Sequence, residues 1–181
     1  MIHSFRTGLF VAFAISIAFV GNGTRARADI VEANPDRYVL KHEATSALSP
    51  EKLWNKLVNP ANWWHPDHTY SGDAANLSLD LQAGGLWRED WSGGSVFHGS
   101  VLQVKQGSML RLDAPFGPLQ DIAVKVVWTI TITPEGEGSK VTFHEIASGD
   151  PKSGLDQLAP AVNFVKGEAI KRLTSQQAAN Q

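Results

Sequence analysis

The sequence contains no cysteine. That excludes a disulfide framework, a thiolate nucleophile and a thiolate-bound metal. Basic charge is also scarce: 16 lysines and arginines stand against 18 acidic residues. Arg6, Arg25 and Arg27 all precede Asp29, so 13 of those 16 basic residues face all 18 acidic ones from Asp29 onward. A mildly acidic chain lacks the basic footprint of nucleic-acid binding, so no nucleic-acid partner is expected. The first apolar run, Gly8 to Val20, falls well short of the roughly 20 residues that span a bilayer. Methionine and tyrosine are rare, at two each, whereas tryptophan occurs six times.

The apolar run does fit a leader. A basic start ending at Arg6, the stretch Gly8–Val20 and the small-residue exit Ala26-Arg27-Ala28 match a secretory signal peptide, whose apolar core is roughly 7–15 residues. The alternative is an uncleaved anchor helix. The expected organisation is a signal peptide over 1–28, a loose lead-in over 29–37, one domain over 38–177 and a tail over 178–181. The exported protein is expected in the periplasm or outside the cell, with no membrane span after signal removal. About 150 residues suffice for a single core without disulfides.

Tyr38 to Thr45 reads as a first strand. Ser49-Pro50-Glu51 has the hydroxyl cap, first-position proline and first-turn acid of a helix start. Leu53, Trp54, Leu57 and Val58 follow on one face, until Asn59-Pro60 stops the helix. A second short helix or turn carries Asn62-Trp63-Trp64-His65-Pro66. The period then changes to two. Strands are expected around Leu77–Leu81, over Leu86–Trp91, Val96–Val104, Met109–Ala114, Ile122–Thr133 and Lys140–Ala147, with turns at Gly84-Gly85, Ser92-Gly93-Gly94 and Pro134–Gly138. The chain closes on an amphipathic helix with Leu155, Leu158, Val162, Val165, Ala169, Ile170 and Leu173 on one face and Lys166, Lys171 and Arg172 elsewhere. Glu168 and Arg172, four apart, form a supportive ion pair. Pro160 implies a kink, or a helix proper beginning there.

An antiparallel sheet buries one face, and the last helix is the element left to cover it. This order of elements, with Ser49-Pro50-Glu51-Lys52-Leu53-Trp54, Gly84-Gly85-Leu86-Trp87 and His98-Gly99-Ser100-Val101-Leu102, resembles the START-like (SRPBCC, helix-grip) superfamily. Within it the chain is similar to the branch related to the heat-shock ATPase activator and the polyketide cyclases. The resemblance spans about Tyr38 to Leu173. It implies an α+β helix-grip fold, a curved antiparallel sheet of six to seven strands around a long C-terminal helix, with two short helices after the first strand. It implies little about activity, because members bind lipids, hormones, pigments and polyketides and only some catalyse. The stretch Trp63 to Asp73 looks like the signature of an uncharacterised bacterial subgroup.

Trp54, Trp63, Trp64, Trp87, Trp91 and Trp128 either fill a large core or line a cavity with flat walls and indole donors. Trp128 shares its face with four aliphatic residues and points inward. If Trp87 and Trp91 point inward, so does Glu89 between them. Val141 and Phe143 facing inward carry Glu145 with them and leave His144 outside. Such carboxylates are costly unless paired, hydrogen-bonded or functional. His98, on the strand beside that of Glu89, suits acid–base work or plain structural hydrogen bonding. His65 and His68 around Asp67 would share one side of a helical turn, but Pro66 works against that turn and the sequence points to no third or fourth ligand, so no metal site is expected. The aromatic and polar loop around His68 and Tyr70 is expected to cover one end of the cavity. No nucleophile elbow or phosphate-cradling glycine loop occurs, and no cofactor is expected.

The leading expectation is therefore a domain that holds a small apolar or aromatic molecule, with Trp64, His68, Tyr70, Trp87, Glu89, Trp91, His98, Trp128 and Val162 around it. The second is an enzyme of cyclase, dehydratase or hydrolase type on the same pocket, with Glu89, His98 and Glu145 as candidate acids and bases. A co-chaperone-like interaction module is the third; the partner of the related activators is cytosolic, whereas this chain carries an export leader.

Overall fold

The computed structural model describes residues 26–176. Residues 1–25 of the expected leader and the whole of the expected tail, 178–181, lie outside them. Eight strands form one antiparallel sheet: β1 (Ala26–Asn34), β2 (Arg37–Ser46), β3 (Leu77–Leu79), β4 (Leu86–Trp91), β5 (Gly94–Lys105), β6 (Met109–Asp113), β7 (Lys125–Glu135) and β8 (Gly138–Ser148). Their order is β1-β2-β8-β7-β6-β5-β4-β3, so the chain crosses the sheet once, between β2 and β3, and otherwise meanders. Among the described residues the two α-helices are α1 (Pro50–Leu57) and α2 (Leu155–Thr174), with α2 lying against β1, β2 and β8.

The count exceeds the expected six to seven because most of the supposed lead-in, together with Ala26–Ala28 at the end of the expected leader, forms a strand. Its residues are mostly exposed and lack strict alternation, so no inward face marks them as β. Backbone pairing with β2 across the Ala26↔Ala44 to Asn34↔Arg37 register makes them one, and its antiparallel partner is the edge β2 would otherwise expose.

The other elements arise as their residues dictate. Ser49 caps α1 by accepting from the Lys52 N–H, with Pro50 at the first helical position, and Leu53, Trp54 and Leu57 are buried. Along β7, Val126, Trp128, Ile130 and Ile132 are buried in alternation. In β8, Val141, Phe143, Glu145 and Ala147 face inward and His144 is exposed. The α2 helix begins at Leu155, not at Pro160, because Gly154 starts it in the left-handed conformation with φ of 62°. Pro160 lies within it.

Two features of α2 differ from expectation. The Glu168–Arg172 pair does not form: the Arg172 Nε donates to the Trp63 carbonyl at 3.0 Å, while Glu168 approaches the His68 Nε2 at 2.9 Å. Tertiary partners outbid a pair worth tenths of a kcal/mol. Lys166 is not on the solvent side but 2% exposed.

Apolar side chains collect in two groups. The larger holds α1, Trp63, Trp64, Trp87, Trp128, Phe143 and the C-terminal turns of α2. The smaller joins Tyr38, Leu40, Leu119, Val124, Val126 and Ala147 to Leu155 and Ala159 at the start of α2. The seam between them is hollow.

Candidate functional site: a cavity with two buried carboxylates behind it

The hollow has a volume of about 410 Å³. Trp64 and the loop Asp67–Tyr70 form one wall, the β6–β7 connection around Ala114–Leu119 and Asp121 another, and Ala161, Val162, Val165 and Lys166 of α2 a third. Glu145 and Lys166 supply its buried ionic groups, and the exposed Asp67, Tyr70, Asp121 and Ala161 lie at its rim. Apolar side chains dominate the lining, as in pockets that take apolar molecules.

Glu145 is 2% exposed on β8 between Leu40 of β2 and Trp128 of β7. The Tyr38 hydroxyl donates to its Oε1 at 2.7 Å, and the Lys166 Nζ lies 2.8 Å from its Oε2. That ion pair is the only polar contact either atom makes among the described residues. The same ammonium lies 3.2 Å from the centroid of the Trp128 ring and 4.6 Å from that of Phe116. Burial pushes the Lys166 ammonium down from its ordinary range, against the charge of Glu145, which holds it up. Burial and then the Glu145 charge raise the Tyr38 hydroxyl above its ordinary value, so it stays a donor. His42 lies beneath, its Nε2 donating to the Asn163 carbonyl at 3.1 Å, and burial lowers it below the usual imidazole range.

Glu89 forms a different arrangement on β4. It is fully buried and accepts from the Tyr70 N–H at 3.0 Å, the Ser71 N–H at 2.6 Å and His98 Nε2 at 3.0 Å. Burial works against its charge, but the donors from Ser71, Tyr70 and His98 outweigh it and hold the carboxyl below the ordinary range. An ionised Glu89 only accepts, so His98 carries its proton on Nε2 and presents a bare Nδ1, which has no partner. Burial keeps His98 below the usual imidazole range, against the pull of Glu89. His98 owes its aim to a bulge. Trp87 pairs with Gly99 and Arg88 with Phe97, which leaves His98 as the extra residue of β5, turned inward beside the buried Gly99. Gly99 permits this, because a Cβ there would lie 2.5 Å from the Asp113 carbonyl oxygen.

Trp64, His68, Tyr70, His98 and Val162 line the cavity as the sequence suggests, and so does Glu145. Trp87, Glu89, Trp91 and Trp128 do not. Trp87 and Trp128 point inward, but they stack on each other at 5.9 Å, with Phe116 packed against both. Glu89 points inward yet is sealed behind the backbone it binds. Trp91 is half-buried at the β4–β5 turn and lies over Gly94, where a Cβ would come within 2.5 Å of its ring. His65 and His68 have ring centroids 5.5 Å apart, and among the described residues no group of three His, Asp or Glu side chains is placed to hold a metal ion.

Sequence reasoning missed Phe116 and Lys166. Phe116 lies in a connection without periodicity. Lys166 did carry a signal: it stands four residues after Val162 and four before Ile170, on the apolar stripe itself.

No match was found among curated proteins. Solved structures of the same fold are many. A Rhodobacter sphaeroides protein is 18% identical with a TM-score of 0.56, the alignment covering 82% of this chain and 95% of that one. Ms6760 from Mycobacterium smegmatis is 16% identical with a TM-score of 0.55, over 83% and 94%. CalU16 from Micromonospora echinospora is 14% identical with a TM-score of 0.55, over 84% and 83%. These show the fold, and the family follows from sequence. Residues 47–173 match the family described as Activator of Hsp90 ATPase homolog 1-like protein, and the chain belongs to that family, within the START-like superfamily.

Proposed function

We propose that this protein is exported and binds a small, largely apolar molecule in the cavity between the sheet and α2. The observation that carries the reading is the hollow itself. A domain with this many bulky aromatic side chains packs most of them against one another, yet about 410 Å³ stays open beside Trp64, Phe116 and α2. A concave, mostly apolar hollow of this size with a few polar side chains on its lining has the form of a small-molecule site. Affinity would come from the apolar walls, and orientation from His98 and Lys166. The leader at 1–28 supports the export half of the proposal.

The test is native mass spectrometry of the protein purified from its natural host. A co-purifying small molecule, with the N-terminus at Asp29, is the expected result. An empty protein whose tryptophan fluorescence does not respond to a panel of apolar and aromatic compounds overturns the binding reading, and a retained leader overturns the export reading.

One observation favours a second reading, an enzyme on the same cavity. Glu89 fixes the tautomer and orientation of His98, a residue of the cavity lining, and leaves its Nδ1 without a partner, the protonation state a general base needs. His98→Gln separates the two readings: under the enzyme reading it removes turnover of the bound compound, and under the binding reading no turnover exists to lose.

A further inference from the structure

We infer that folding closes the cleavage site of the leader, so that the leader is removed before β1 joins the sheet and the cavity first forms after transport. The inference rests on the export reading above and adds the order of events to it.

The small-residue exit Ala26-Arg27-Ala28, which a signal peptidase reads, is no spacer in front of the domain. It is the start of β1. Ala26 pairs with Ala44, Arg27 with Glu43, Ala28 with His42 and Asp29 with Lys41. The bond to be cut, Ala28–Asp29, therefore lies inside the strand, with three paired residues before it and five after it. The partners His42 and Ala44 are each 1% exposed. The α2 helix lies against the same strand, and a Cβ on Gly167 would stand 4.0 Å from the Ala28 Cβ. Alternation puts Ala26 on that side with Ala28, and leaves Arg27 and Asp29, joined by an ion pair of 2.7 Å, on the other. The two small side chains that a peptidase has to take up are thus the two turned towards α2. Both keep exposed surface, so it is the backbone pairing that closes the bond.

A peptidase takes its substrate as an extended segment free of other partners on both sides of the cut. Nicking favours exposed loop tips for this reason, and a bond within a strand is cut only in the fraction of molecules whose strand has opened. Opening β1 at Ala28–Asp29 gives up pairs on both sides of the bond, which is more than fraying an end. Hydrolysis then adds water across the amide, leaving a carboxylate on Ala28 and an amine on Asp29. In a chain that has crossed the membrane but not yet folded, the same bond has no strand partner. Folding follows removal of the leader, and the hollow beside Phe116 takes its ligand from the compartment outside the cytoplasm.

Purified signal peptidase in detergent micelles, offered three full-length chains after synthesis, tests this order. The first is the unchanged precursor, folded. The second is Trp128→Asp, which buries a charge beside Glu145 and keeps the chain unfolded. The third carries about ten glycine and serine residues inserted between Ala28 and Asp29, which moves the exit clear of a β1 that still starts at Asp29. The folded unchanged precursor is expected to be cut at least about tenfold more slowly than the other two, and Trp128→Asp to yield an N-terminus at Asp29. Equal rates of cutting after Ala28 in all three overturn the inference and leave the export reading standing. Cutting of all three at a bond outside β1 does the same. Cutting of none overturns both. Where the insertion variant does not fold, the comparison of the unchanged precursor with Trp128→Asp decides alone.

Discussion

Glu89 and Glu145 occupy equivalent positions in the sense that matters to a sequence: each is the polar member of an inward-facing strand register, flanked by bulky apolar neighbours. The fold treats them oppositely. Glu89 is answered by two backbone N–H groups of the Tyr70–Ser71 turn and by His98, all supplied by rigid neighbours, and so it fastens the cavity wall in place. Glu145 is answered by one hydroxyl and by a lysine on a long flexible stem, whose donors are only partly used. The first carboxylate is saturated and structural. The second belongs to a buried ion pair with fewer partners. Burial alone does not make an acid functional; what its partners leave unfilled does.

The strongest way to break that comparison is to unpair Glu145. Lys166→Met leaves Glu145 charged in the interior with only the Tyr38 hydroxyl beside it, and should cost about 3–5 kcal/mol in urea unfolding at neutral pH. Combining it with Glu145→Leu should recover most of the loss, because removing both members of a buried pair is often neutral. A single-variant cost below about 1 kcal/mol would mean that the pair is solvated and the site less dry than its geometry says.

Unfastening the saturated site should cost less. Glu89→Gln keeps one acceptor oxygen but places an amide NH₂ where a donor already points, and should destabilise by about 1–3 kcal/mol. Its pH signature follows from the direction of the shift. The folded carboxyl lies below its ordinary value of 4.5, so its contribution is present above 4.5 and is lost as the pH falls from there through the lower folded value. Urea midpoints followed from neutrality through that range should fall less steeply in Glu89→Gln than in the unchanged protein. Parallel curves would show that Glu89 is not the clamp of the Tyr70–Ser71 turn.

The same contrast explains what could be read before the structure. The alternation in β7 and β8 is strict, so the inward aim of Trp128, Phe143 and Glu145 and the outward aim of His144 were legible. The helix-grip order and the cap at Ser49 were equally plain. What was not legible depends on partners distant in sequence. The β1 strand exists only through β2, and the inward turn of His98 depends on a bulge that no local pattern encodes. The tryptophan count leaves core filling and cavity lining both open, and the structure divides them: Trp87 and Trp128 stack on each other, and Trp64 is on the lining. Lys166 was set aside for its charge although its spacing placed it on the apolar stripe.

The rim of the cavity gives the smallest effect and sharpens the comparison by contrast. His68 and Glu168 meet at 2.9 Å across the loop and α2, but with side chains 24% and 34% exposed they remain in contact with water. Solvent screens such a pair, and ordering two side chains offsets much of its attraction. Glu168→Gln should therefore change stability by less than about 1 kcal/mol. A larger loss, measured in the same urea titration, would place the loop's anchor at this rim pair rather than at Glu89. The distinction is physical: three donors converging on a dry carboxylate fix a loop, whereas one wet side-chain contact only rests against it.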